Sequence, residues 1–203
     1  MDQSVKQAIA KWPNVPAEYG WLSLDGRGRW HIHELGDADA GGPGALITSP
    51  QILAFIGRNY ESDARGRWYF QNGPQRVYVR LDAAPYILRV ADTGIGLVTH
   101  TTEPINTVDA WWLDQAGQLY ARTDLGGGMV DGRDLEAVLA QLHTTPAETP
   151  LLEALETHAG QMAWQVSYPC YRNPASLQLD VAATDIVNYL GFIANPISDM
   201  TNA

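Results

Sequence analysis

Trp21-Leu22-Ser23-Leu24-Asp25-Gly26-Arg27-Gly28-Arg29-Trp30 sets a short aromatic and aliphatic run on each side of an Asp-x-x-Gly tetrapeptide. Such runs around a glycine-containing turn form a β-hairpin. The strands predicted here are Trp21–Leu24 and Arg29–His33. After a glycine-rich loop, Ile47-Thr48-Ser49-Pro50-Gln51-Ile52-Leu53-Ala54-Phe55-Ile56 has a capping residue, Ser49, before apolar positions at helical spacing.

The same order returns downstream. After Trp111-Trp112, Leu113-Asp114-x-x-Gly117 matches Leu24-Asp25-x-x-Gly28 at an offset of 89 residues, and Val130–Leu139 matches Ile47–Ile56 at an offset of 83. In this second copy Asp131 is the capping-type residue. Asp63-Ala64-Arg65-Gly66-Arg67-Trp68 repeats the turn a third time. Asp-x-x-Gly turns recur in any hairpin protein. The Trp-Leu pair before the turn and the helix after it favour a true repeat of hairpin, loop and helix.

Between the copies, Trp68–Gln71, Gln75–Leu81, Tyr86–Ala91 and Gly96–Thr101 read as a meander, with turns at 72–74, 82–85 and 92–94. Thr149-Pro150 opens a predicted helix towards Trp164 with Leu151, Leu152, Leu155, His158, Ala159 and Met162 on its apolar side. A second is predicted over Asp180–Ala194. The expected fold is therefore α+β: repeated β-hairpin/helix units around a mainly antiparallel sheet, with C-terminal helices packed on it. The expected boundaries are an N-terminal helix or arm over 1–17, a strand-rich repeat domain over 18–145 and a helical segment over 146–203.

The chain has 203 residues, 45% hydrophobic and 18% charged, which suits a packed globular core and not a disordered chain. Its net charge is −10. Six arginines stand against three acids in residues 58–89, whereas three bases face fourteen acids from residue 90 onward. A nucleic-acid binder presents a broad basic face, so no nucleic-acid partner is expected. The single cysteine, Cys170, excludes a disulfide framework within the chain and reads as a small buried side chain. No apolar run reaches membrane-spanning length and no secretory stretch opens the sequence, so no membrane partner and a cytoplasmic location are expected.

The run Gly66-Arg67-Trp68-Tyr69-Phe70-Gln71-Asn72-Gly73-Pro74-Gln75-Arg76-Val77-Tyr78-Val79 resembles the hallmark of an uncharacterised proteobacterial family of unknown function. The layout is also similar to another uncharacterised bacterial family with repeated strand–helix motifs, for which a signalling role has been suggested. The resemblance covers residues 18–142 and implies a strand-rich repeated architecture. It carries no catalytic residue across and leaves the C-terminal helices unexplained.

Alternation along Arg76–Leu81 turns Val77, Val79 and Leu81 to the core and Arg76, Tyr78 and Arg80 to the other face, with Arg67 and Tyr69 beside them. Guanidinium groups around a phenol suit a small anion, a carboxylate or a protein partner. The same arginines also have Glu61, Asp63 and Asp82 close by as internal partners. His31 and His33 share a strand face about 6.6 Å apart, a spacing that two of a metal's ligands can use; a solvent-facing pair is the plainer reading. Asp92-Thr93-Gly94 matches the aspartic-protease tripeptide, with Gly132-Arg133-Asp134 after it, yet it is equally a turn. Gly94–Gly96 leads into a strand and not a helix, and Gly126–Gly128, although a helix follows, lacks the Lys or Ser/Thr of a phosphate loop and reads as a flexible loop. The expectation is a non-enzymatic binding or regulatory module of signalling type without a cofactor, homo-oligomeric in one reading. The alternative is a metal-dependent or aspartic-type hydrolase.

Overall fold

Three Asp-x-x-Gly tetrapeptides fold into one kind of turn. In each, the Asp Oδ1 accepts two backbone N–H groups: those of Arg27 and Arg29 at Asp25, Arg65 and Arg67 at Asp63, and Ala116 and Gln118 at Asp114, all at 2.8–3.1 Å. The glycine N–H returns to the Asp carbonyl at 3.0 Å. Gly28, Gly66 and Gly117 have φ of +74° to +79°, a left-handed conformation that a Cβ disfavours.

The computed structural model describes residues 1–158 and 160–198. Ala159 and residues 199–203 lie outside the described residues. The chain divides into two compact units, one of Met1–Ala83 with the segment from Phe192 onward, the other of Ala84–Gly191. The boundaries expected at residues 17 and 145 fall inside these units.

The first unit contains α1 (Gln3–Lys11), β1 (Glu18–Leu24), β2 (Trp30–Ile32), β3 (Ala45–Leu46), α2 (Pro50–Arg58), β4 (Tyr60–Ser62), β5 (Trp68–Asn72) and β6 (Gln75–Leu81). Its sheet runs β3-β2-β1-β6-β5-β4. All neighbours are antiparallel except β1 and β6, whose parallel register sets Leu22 opposite Val79. Helix α2 starts where Ser49 Oγ accepts the Ile52 N–H at 3.5 Å, with Pro50 in its first turn. It covers part of the apolar face, Phe55 meeting Phe70 edge-on at 5.5 Å. Leu22, Leu24, Val77, Val79 and Leu81 are buried.

The second unit contains β7 (Tyr86–Val90), β8 (Leu97–Thr99), β9 (Val108–Asp114), β10 (Leu119–Thr123), β11 (Gly126–Val130), α3 (Leu135–Gln141), β12 (His143–Thr144), α4 (Leu151–Thr157), β13 (Ala163–Ser167), β14 (Ala175–Val181) and α5 (Ala183–Leu190). Its sheet runs β12-β13-β14-β9-β10-β11-β7-β8. Counted from β1 in one unit and β9 in the other, six strands follow the order 3-2-1-6-5-4 in both. The first and sixth are parallel in both, and a helix lies between the third and fourth.

The expected single, mainly antiparallel sheet is thus two mixed sheets. The sixth strand returns beside the first running the same way, and β7 pairs with β11 in parallel. The expected meander is broken at residues 82–85, where the chain passes from one unit to the next; β6 and β7 do not pair. Towards the C-terminus, α4 ends at Thr157, and Trp164 lies in β13. The second predicted helix is strand to Val181 and helix only from Ala183 to Leu190. Ala175, Leu177 and Val181 are buried in a period of two, a strand signal that an apolar count at helical spacing overlooks.

Two smaller expectations also change. Asp134, not Asp131, precedes α3; the Asp131 carboxylate instead accepts from the Arg133 backbone and guanidinium. Gly126–Gly128 form strand rather than loop, because their bare backbones admit neighbours: a Cβ on Gly127 would lie 2.7 Å from Leu190 Cβ, and one on Gly128 2.7 Å from Leu88 Cγ. Cys170 is exposed, not buried.

Candidate functional site

The two faces of the first sheet carry different chemistry. On the polar face, β5 and β6 pair so that Tyr69 stands opposite Tyr78. Their rings meet edge-on at 5.7 Å, and Tyr19 stacks on Tyr78 at 4.7 Å. The Arg67 guanidinium covers Tyr78 at 4.7 Å, and that of Arg76 covers Tyr69 at 4.6 Å. Both phenols are buried as a result.

The charges on this face are largely committed. Arg67 Nε donates to Asp63 Oδ2 at 2.7 Å, and the Tyr78 hydroxyl donates to the same oxygen at 2.9 Å. Burial pushes the Asp63 carboxyl up. The Arg67 side chain, the backbone N–H groups of Arg67 and Arg65, and the Tyr78 hydroxyl outweigh it and hold the pKa at about 2. Arg80 Nε donates to Asp82 Oδ1 at 2.9 Å, and its Nη1 donates to the Ala38 carbonyl. Arg67, Tyr69, Arg76 and Tyr78 therefore form one cluster, whereas Arg80 is turned to Asp82 and Ala38. Arg76 is exposed and stacked on Tyr69, and no acid pairs with it among the described residues.

His31 and His33 are held by groups of their own chain. His31 Nε2 lies 3.2 Å from Asp25 Oδ2. His33 is buried, with Nε2 2.9 Å from Ser23 Oγ and Nδ1 3.6 Å from Asp37 Oδ1. Burial, and then the charge of Arg80, lower its pKa. No group of three or more His, Cys, Asp or Glu side chains placed to hold a metal occurs among the described residues. Asp92-Thr93-Gly94 is an exposed turn between β7 and β8, closed by the Gly94 N–H to Ala91 carbonyl bond at 2.8 Å.

On the apolar face, α2 and β3 leave part of the sheet uncovered. A cavity of about 390 Å³ opens there, walled chiefly by Trp21, Leu22, Ile32, Ile52, Phe70 and Val77. Trp21 and Ile32 remain 41% exposed and Ile52 51% exposed, so three large apolar side chains converge on one open hollow. Glu18, Asn72 and Gln75 close one end, where β1 and β6 begin and β5 ends. This site went unread in the sequence. Its one signal was Ile32, apolar between two histidines.

Residues 1–197 match a family model named DUF2944 and described as "Protein of unknown function (DUF2946)". No curated protein matches the chain. Among solved structures, the chain is similar to a DUF1285 family protein from Silicibacter pomeroyi DSS-3, with a TM-score of 0.50 and 14% identity over 85% of this chain and 86% of that one. A DUF1285 family protein from Shewanella baltica OS155 matches with a TM-score of 0.40 and 14% identity, over 57% of this chain and 87% of that one. The first likeness shows a shared fold. No helix among the described residues is long and apolar enough to cross a membrane. With all but its last few residues matched, the chain belongs to the DUF2944 family of proteins of unknown function.

Proposed function

We propose that this protein is a non-enzymatic binding module, built from two copies of one strand–helix unit, that takes an apolar ligand against the first sheet. The observation that carries the reading is the convergence of Trp21, Ile32 and Ile52, all substantially exposed, on one cavity of about 390 Å³. Exposed apolar surface gathered in a hollow is unfavourable in water and is relieved by a ligand. The duplication is supported by the shared strand order and by the Asp25 and Asp114 turns, which open the corresponding hairpins. The neutral dye Nile red tests the site. One dye per chain should bind with a fluorescence rise. Ile52→Gln, at an exposed helix position, should weaken binding about tenfold without unfolding the protein. Loss of neither signal nor affinity in the variant overturns the reading.

A second reading is carried by Arg76. Its guanidinium is exposed, lies over the Tyr69 ring and has no acid partner among the described residues, beside Tyr78 and Arg67. A flat, oriented guanidinium is suited to a carboxylate. In this reading the face of Arg67, Tyr69, Arg76, Tyr78 and Arg80 meets an acidic protein segment or a small anion. Titration with an acetylated triglutamate peptide should shift the Arg76 side-chain NMR resonance. Arg76→Ala should abolish the remaining peptide-induced shifts, and their persistence would exclude this surface.

A further inference from the structure

We infer that the ligand of the first-unit cavity is an amphiphile whose polar end is a cationic amine; this inference rests on the binding reading above. The argument begins at Gln75. Its Nε2 group donates to the Glu18 carboxylate at 3.2 Å and to the Pro16 carbonyl at 3.3 Å. The amide is therefore oriented, with its donor end occupied and its oxygen left over. Glu18 has a second carboxylate oxygen beyond the one that Gln75 engages. Apart from the Asn72 amide, which also carries a donor, the polar end of the cavity thus offers acceptors, and one of them is charged.

Among the described residues, no lysine, arginine or histidine lines the cavity. A fatty carboxylate or a phosphate head would bring a negative charge beside Glu18 with no positive group to receive it, in a chain of net charge −10. A head that donates hydrogen bonds and carries positive charge meets both requirements. The wall above Glu18 is aliphatic and aromatic: Leu22 and Val77 from the sheet floor, Ile52 from α2, and Trp21 and Ile32 at the mouth. Polar end and apolar wall follow from strand direction. The parallel strands β1 and β6 start side by side at Glu18 and Gln75 and run into their apolar residues together.

Three ten-carbon probes with one tail and different heads separate the possibilities: decylamine, decanol and decanoate, each below its micelle threshold. Isothermal titration of the full chain at pH 7 should show one decylamine bound per chain, displacing Nile red. Decanol should bind about tenfold more weakly, and decanoate should not bind. Glu18→Gln keeps the bond from Gln75 and removes the charge. It should lower decylamine affinity about tenfold, the scale of a lost charge-assisted hydrogen bond, and leave decanol unchanged. Ile52→Gln should weaken decylamine and decanol together, which distinguishes the cavity from unspecific attraction of a cation to an acidic protein. If decanol or decanoate matches decylamine, or if Glu18→Gln binds decylamine as the parent does, the amine assignment falls and the cavity reading stands. If neither Nile red nor any of the three binds, both fall.

Discussion

Asp114 shows how much one carboxylate can organise. Its Oδ1 accepts two backbone N–H groups, its Oδ2 lies 3.3 Å from the Tyr120 hydroxyl, and the residue is buried. Removing it strands two donors and a phenol in a tight turn. Asp114→Ala should therefore cost about 2–4 kcal/mol in urea denaturation. Asp114→Asn, which keeps an acceptor oxygen, should cost about half as much. An alanine variant as stable as the parent would mean that water replaces the carboxylate. The turn was legible because Asp and Gly stand at fixed spacing. The pairing of His33 with Ser23 was not, since it depends on β2 lying beside β1 and on the chain after Ile32 continuing beside Trp21, where the His33 N–H donates to the Trp21 carbonyl at 2.9 Å.

At the scale of elements, α2 was readable from its cap, its proline and its apolar spacing. Ser49→Ala removes the acceptor for the Ile52 N–H and should destabilise the protein by about 1 kcal/mol. Helix α5 depends on a neighbour instead: its Leu190 side chain packs where Gly127 in β11 lacks a Cβ. Gly127→Ala should cost about 2 kcal/mol or more through this clash. Leu190→Gly, which removes the clashing Cβ that alanine would keep, should cost less in the Gly127→Ala background than in the parent, a non-additivity measurable in a double-mutant cycle. The strands β13 and β14 escaped the sequence reading because their apolar residues are few and alternate. A short alternating run next to a true helix is easily merged into it.

For the molecule as a whole, acid stability depends on partly buried groups that resist protonation. His100 is half-buried, with its Nε2 shut off from solvent; burial pushes its pKa down to about 3, and its Nδ1 accepts the Ile87 N–H at 3.3 Å. The unfolded chain binds a proton there near the ordinary value of 6.5, while the folded chain does not. Stability is therefore undiminished by this residue above pH 6.5 and falls as the pH drops towards 3, by about 1.4 kcal/mol per unit for one proton. Asp63 acts lower in the range. Its stabilisation is complete above 3.8 and is lost as the pH falls through about 2. Chemical denaturation between pH 7 and pH 4 should show the His100 slope, and His100→Gln, which cannot titrate, should flatten it. An unchanged slope would place the acid sensitivity elsewhere.

The amino-acid order by itself determined the Asp-x-x-Gly turns, the hairpins at Asp25 and Asp114, α2 and the alternation that sorts Val77 and Val79 from Arg76 and Tyr78. These are local: neighbouring residues supply both the partners and the backbone freedom. Only the tertiary structure decided that the chain breaks into two sheets at residues 82–85, that a sixth strand returns in parallel beside a first, and that an open cavity lies beside α2 with acceptors at one end. The last two join residues more than forty positions apart, as Leu22 with Val79 or Glu18 with Gln75. No periodicity encodes which distant strands meet; that choice falls to the burial of apolar surface and the pairing of backbone groups across the assembled sheet.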